Sequence, residues 1–203
     1  TTPTKPIRPV TAADHIRGNP NAPIVIVEYA DYDCPFCKEF DATMQQVMDK
    51  YGSSGNVAWV YRNFPIQQLH PDAPRLAQAA ECVASLGGND AFWKFSDLVF
   101  GERGINDETD MSKLDGYANT AGVSTTAFEA CLADGRTKAT VQADYDDAVS
   151  AGAKGTPYSV VLVGGQEGVI DGAQSFATVS GIIDTLITQI NGKSSTTSSS
   201  TAQ

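Results

Sequence analysis

The sequence predicts an α/β fold in which a strand–helix–strand unit is followed by a long all-helical block, a second pair of strands and a closing helix. Three observations predict it. The β-branched run Ile24-Val25-Ile26-Val27 leads into apolar residues at helical spacing, Phe40, Met44, Val47, Met48 and Tyr51. From about Leu69 to Ala148 the apolar pattern stays helical. Beyond it, Tyr158 to Val163 and Glu167 to Ile170 read as two strands joined at Gly164-Gly165.

In chain order, Thr1 to Pro9 carries three prolines and little apolar content, which reads as an extended linker. Thr11 to His15 reads as a helical turn, and Gly18 to Pro23 as a loop that delivers the chain into the Ile24 strand. The helix after that strand ends at Gly52 to Gly55, and Val57-Ala58-Trp59-Val60-Tyr61 has the β-branched and aromatic content of a second strand. Such a unit is expected to be a parallel βαβ crossover. His70-Pro71-Asp72-Ala73-Pro74 opens a helix to about Leu86, stopped by Gly87-Gly88. Asn89-Asp90 is expected to cap the next, which carries a dense apolar face of Phe92, Trp93, Phe95, Leu98, Val99 and Phe100. Further helices are expected over Met111 to Ala121, Ser124 to Ala133 and Thr137 to Gly152. Ser175 to Ile190 is an amphipathic helix, with Phe176, Val179, Ile182, Ile183, Leu186, Ile187 and Ile190 on one face. The remaining Ser/Thr-rich stretch is expected to be disordered.

The chemistry centres on Cys34-Pro35-Phe36-Cys37, two thiols at disulfide spacing placed where the first strand gives way to a helix. A cysteine at a helix N-terminus meets unpaired backbone N–H groups and the positive end of the helix dipole, and both favour thiolate over thiol. Pro35 suits the first helical position because it has no N–H to leave unsatisfied. A zinc half-site is the competing reading of a lone CxxC. The sequence contains no second CxxC, and His15 and His70 are isolated from it. His15 reads as a surface or packing residue.

With Glu28 six residues upstream and Gly155-Thr156-Pro157 before a late strand, the chain resembles the DsbA-like thiol-disulfide oxidoreductases of the thioredoxin superfamily, from about Ala22 to about Asn191. The resemblance implies a thioredoxin fold with an inserted all-helical domain. The corresponding organisation is an N-terminal linker over 1–21, a thioredoxin-fold domain from 22–68 and 149–192, the helical insert over 69–148 and a disordered tail over 193–203. It implies that Cys34 attacks and is attacked, that Cys37 resolves, and that Glu28 is a buried carboxyl shuttling a proton to Cys37. A solvated strand end is the other reading of Glu28. It further implies a cis Pro157 facing the dithiol, with the Thr156 backbone pairing with an extended substrate peptide; a trans proline at a strand start is the alternative. Phe36 departs from the His at this place in well-known DsbA proteins, and a phenyl ring supplies no cation to hold a thiolate. Asp31, Asp33, Glu39 and Asp41 read as solvated rim charges that oppose ionisation of Cys34.

Cys82 and Cys131 fall on different expected helices, where they form either a structural disulfide or two buried thiols. An oxidising compartment favours the disulfide. The formal net charge of −10 argues against nucleic acid or an anionic membrane as partner. No apolar run approaches the roughly 18 residues of a membrane helix. By these features the chain as given is either cytosolic or a mature portion already cut from its targeting segment, and the resemblance implies an extracytoplasmic monomer that needs no cofactor or metal. Its partners are reduced or unfolded proteins and a membrane or soluble redox protein that resets the dithiol. A disulfide donor is the leading reading. A reductase or isomerase of the same fold, and a Cu(I)-binding protein using the two cysteines, are the alternatives.

Overall fold

A computed structural model describes residues 1–197, with side chains as far as residue 192. Five strands form one mixed sheet in the order β1-β3-β2-β4-β5, where β1 is His15–Gly18, β2 Ile24–Ala30, β3 Val57–Asn63, β4 Tyr158–Val163 and β5 Gln166–Asp171. Only the β2–β3 pair is parallel. The helix α1 (Pro35–Val47), extended by a π-helical turn over Met48–Gly52, forms the crossover between them. Because side chains alternate across a strand, β2 sends Ile24, Ile26 and Glu28 to one face and Val27 and Tyr29 to the other. The first face is the larger core, and it is where the dithiol lies.

The helices α2 (Ala73–Glu102), α3 (Leu114–Thr120), α4 (Thr125–Asp134) and α5 (Lys138–Ala151) fall between β3 and β4. They share the core of the sheet. Trp59 of β3 lies 4.7 Å from Trp93, Tyr61 lies 5.7 Å from Phe92, and Tyr32 lies 5.1 Å from Phe100. The helix α2 is broken at Gly88, whose φ of 78° and ψ of −171° suit glycine alone. The break turns the aromatic second half of α2 onto β1 and β3. Asn89, expected as a helix cap, spends its amide elsewhere: its Oδ1 accepts from the Ile16 N–H and its Nδ2 donates to the Ile16 carbonyl. It thus covers the free edge of β1 as a neighbouring strand would.

Three expectations need correction. Residues 1–9 are not a free linker. Ile7 is buried in the second core with Val27, Tyr29 and Val60. The Thr4 N–H donates to the Ala151 carbonyl at 2.8 Å, and the Val169 N–H donates to the Thr1 carbonyl at 2.9 Å. One apolar anchor, backbone pairing and side-chain bonds such as Arg8 to Asp144 and Arg62 to the Arg8 and Pro9 carbonyls dock a segment whose composition alone reads as coil. Second, the turn over residues 11–14 leads into strand β1, antiparallel to β3, and His15 belongs to that strand. Four residues with one buried side chain carry too little alternation to announce a strand. Third, helix α6 runs Phe176–Thr197, so the chain expected to be disordered from residue 193 is helical to 197. The rest of that expected tail lies outside the described residues.

Cys82 of α2 and Cys131 of α4 are joined by a disulfide across 49 residues of sequence, and both are fully buried. Closing a loop of that length contributes about 2 to 4 kcal/mol, chiefly by restricting the unfolded chain. A Cys82→Ala, Cys131→Ala variant should lose that amount in urea unfolding while the glutathione equilibrium of Cys34 and Cys37 stays unchanged. A loss below about 0.5 kcal/mol would show that the bridge does not stabilise the helical block.

Candidate active site

Cys34 is the N-cap residue of α1, with extended φ/ψ of −68° and 125°, and Pro35 fills the first helical position. No side chain caps this helix end, so its free N–H groups are left facing the Cys34 sulfur. The Lys38 N–H donates to the Cys34 carbonyl at 3.2 Å, closing the first helical turn. Cys37 is one turn further in, wholly buried in the larger core, whereas Cys34 keeps 5% of its surface. Both thiols are free in the structure.

This difference in surroundings divides the two sulfurs chemically. The Cys34 thiol is lowered to about 6, first by the hydrogen bond from Cys37, then by the Thr156 side chain and the N–H groups of Cys37 and Phe36, against the opposing effect of burial. Burial pushes the Cys37 thiol well up, and the neighbouring Cys34 sulfur adds to this. Cys37 Sγ accepts from the Asp31 N–H at 3.4 Å. When protonated, Cys34 donates to the Thr156 carbonyl at 3.4 Å. The Thr156 hydroxyl is buried and has no other partner, which leaves it available to the thiolate. The Thr156–Pro157 peptide bond is cis.

Glu28, on the face of β2 that carries the larger core, is 1% exposed, and its charge acts on the Cys37 thiol. Its Oε2 accepts from the Trp59 indole N–H at 2.8 Å. Burial raises its carboxyl well above the usual range, and the Asp41 charge raises it further. Of the two sequence readings of Glu28, the structure contains the buried one. Asp41 is partly buried, and its carboxyl is raised to about 7 by burial and by Asp97. Glu39 alone of the four acidic residues expected at the rim is exposed.

Asp31 and Asp33 are not solvated: they are 1% and 7% exposed. Asp31 accepts from the Asp33 N–H, the Ile66 N–H and His70 Nδ1 at 2.8–2.9 Å. Asp33 accepts from both the N–H and the hydroxyl of Thr109, at 2.9 and 2.6 Å. Their negative charge is thus held by dipoles and donors in place of water. Arg103, at the end of α2, is 7% exposed and donates from Nη2 to the Cys34 carbonyl at 2.7 Å. Sequence reasoning missed this cation because 69 residues separate it from Cys34. It also missed His70, whose partner Asp31 is 39 residues away. The one sequence signal for Arg103 was a basic residue directly after the helix that carries the aromatic core.

Three exposed apolar side chains belong to the segments that meet at the dithiol: Phe36 in the motif, Leu69 next to His70, and Ile105 two residues after Arg103, 59%, 69% and 41% exposed. Each is carried by a segment bonded to the Cys34 turn.

Comparison with known proteins adds the lineage. The family model described as thioredoxin matches residues 11–185. Among solved structures, BdbD of Bacillus subtilis superposes with a TM-score of 0.76 at 20% identity, covering 86% of this chain and 93% of that one. Wolbachia pipientis alpha-DsbA1 gives 0.73 at 20% identity over 89% and 94%. Pseudomonas aeruginosa DsbA2 gives 0.71 at 27% identity over 88% and 97%. The curated protein named Na(+)/H(+) antiporter NhaA 3 of Salinispora tropica is 35% identical over 144 residues, which is 71% of this chain and 21% of that protein. The chain therefore spans about a fifth of the length of such relatives. From the family match the chain belongs to the thioredoxin superfamily, and its architecture is DsbA-like.

Proposed function

We propose that the protein is an oxidase, donating the Cys34–Cys37 disulfide to reduced proteins outside the cytoplasm. The observation that carries this reading is the split between the two sulfurs, one lowered to about 6 and the other pushed well up by burial. A stabilised Cys34 thiolate is a good leaving group and favours the reduced protein, so the disulfide is a strong acceptor of electrons.

A substrate thiolate attacks Cys34 Sγ of the disulfide. The Cys34–Cys37 bond breaks, a mixed disulfide forms at Cys34, and Cys37 leaves as a thiolate. Glu28, held protonated by its burial, gives that thiolate its proton. A second substrate thiolate then attacks the substrate sulfur of the mixed disulfide and expels Cys34 as a thiolate. Two electrons pass to the protein, the substrate gains one disulfide, and a separate redox partner must reoxidise the dithiol. The Thr156 backbone beside Cys34 and the exposed Phe36, Leu69 and Ile105 suit an extended, partly apolar peptide. The Cys82–Cys131 bridge supports an oxidising compartment. Ion exchange is a property in the names of the much longer antiporter relatives and forms no part of this reading. Among the described residues no helix is long and apolar enough to cross a membrane.

Equilibration with glutathione should place the Cys34–Cys37 potential between about −200 and −100 mV, and the oxidised protein should refold a reduced disulfide-containing substrate. A potential near about −270 mV would make the protein a reductase. In Glu28→Gln, reaction of the oxidised protein with a thiol substrate should slow by about tenfold or more at pH 7, with the Cys34 thiolate still formed. General acid–base groups contribute at least that much. An unchanged rate would remove Glu28 as the proton donor.

A further inference from the structure

We propose that Arg103 is a positioning residue for the dithiol, fixing Cys34 through its carbonyl and supplying the cation that the CxxC turn itself lacks. This inference rests on the thiol-disulfide reading and assigns the reactivity of that site to a residue of the helical block.

The geometry is specific. The Cys34 carbonyl accepts two hydrogen bonds, from the Lys38 N–H at 3.2 Å within α1 and from Arg103 Nη2 at 2.7 Å from outside it. The second is charge-assisted and therefore among the stronger kinds. It fixes the plane of the Cys34–Pro35 peptide, which directs the sulfur between the helix N–H groups and Thr156. Arg103 is itself fixed by its own loop: Nη1 donates to the Asp107 carbonyl at 3.0 Å and more weakly, at 3.4 Å, to those of Gly104 and Ile105. The far end of the loop is held by the two hydrogen bonds from Thr109 to Asp33, the residue just before Cys34. The Cys34 turn and residues 103–109 are thus laced at both ends.

Charge points the same way. A guanidinium keeps its charge when buried, so anions or acceptors must surround it. Those facing Arg103 are Asp33, Asp31 and the two cysteine sulfurs, with Lys38 of α1 as a second cation nearby. Burial lowers Arg103 from its ordinary value, and the negative charges of Asp33, then Cys37 and Cys34, and then Asp31 oppose this. The pull is mutual, so Arg103 stabilises the thiolate. Phe36 supplies no charge in the motif, and Asp31 and Asp33 bring two carboxylates within the same shell. Arg103 adds a buried cation to the donors that already hold them. Its Nε is buried without a partner, a cost that a residue held only for packing has no reason to carry.

The test compares the wild-type protein with Arg103→Met and Arg103→Lys, reading thiolate absorbance at 240 nm against pH and the equilibrium with glutathione. Arg103→Met should raise the Cys34 midpoint by about one pH unit and shift the glutathione equilibrium about tenfold toward the oxidised form, or about 30 mV. Arg103→Lys keeps the charge and loses the planar fork, so it should recover at least half of both effects. A purely structural residue would lower the unfolding midpoint and leave both readouts in place. Folded Arg103→Met with the wild-type pKa and an equilibrium within twofold overturns the proposal. If Arg103→Met does not fold, Arg103→Gln takes its place under the same two criteria. Failure of the wild-type protein to equilibrate with glutathione at all would instead overturn the thiol-disulfide reading beneath it.

Discussion

The structure depends on two sulfurs three residues apart being solvated differently. A helix begun at Cys34 must leave its first N–H groups without helical partners, while the turn that follows carries Cys37 into the apolar core. One thiol is therefore stabilised as an anion and the other as a neutral group, and a disulfide between them is poised to break in one sense. The parallel β2–β3 pair and α1 place that helix start at the end of β2, and β4 brings Thr156 up to the first sulfur. The aromatic layer of Trp59, Tyr61, Phe92 and Trp93 shares the core in which the second is wholly buried.

Negative charge around this centre is managed by donors. Asp31 and Asp33 immediately precede the reactive turn, yet neither carboxylate is left to act as a free charge. Asp31 fastens the loop carrying His70, and Asp33 fastens Thr109 in the loop after α2. Residues that would oppose the thiolate if left bare are used to tie two loops to it, with Arg103 inside the second loop. Glu28 is the exception, since it has only the Trp59 indole as a neutral donor and is raised by its burial. A carboxyl that holds its proton more tightly than usual is thus close enough to influence Cys37, which suits the proton-donor role proposed for it.

Much of the fold was legible because local signals agreed. The β-branched run before Cys34, the apolar stripe after it, the Gly87-Gly88 break and the Gly164-Gly165 turn each have one cheap backbone solution. The features that escaped reading depend on distant partners. Strand β1 is four residues long and exists by pairing with β3, and residues 1–9 dock through Ile7, backbone hydrogen bonds and the contacts of Arg8 and Pro9 with Asp144 and Arg62. Asp31, Asp33 and Asp41 read as solvated charges because sequence carries no sign of the donors that bury them. Arg103 was hidden for the same reason. The dithiol spacing was visible as a motif, whereas the contacts that brace the turn arise from loops 30 to 80 residues away.

The central claim is that Cys34 alone is the reactive thiolate near neutrality. The most direct measurement is the rate of alkylation of the reduced protein by iodoacetamide from pH 3 to 9, with each modified cysteine located by mass spectrometry. The account predicts that all early label falls on Cys34, that its rate rises with a midpoint near pH 6, and that Cys37 stays unlabelled throughout the range. A midpoint near the free-thiol value of about 8.5, or equal labelling of both cysteines, would contradict it.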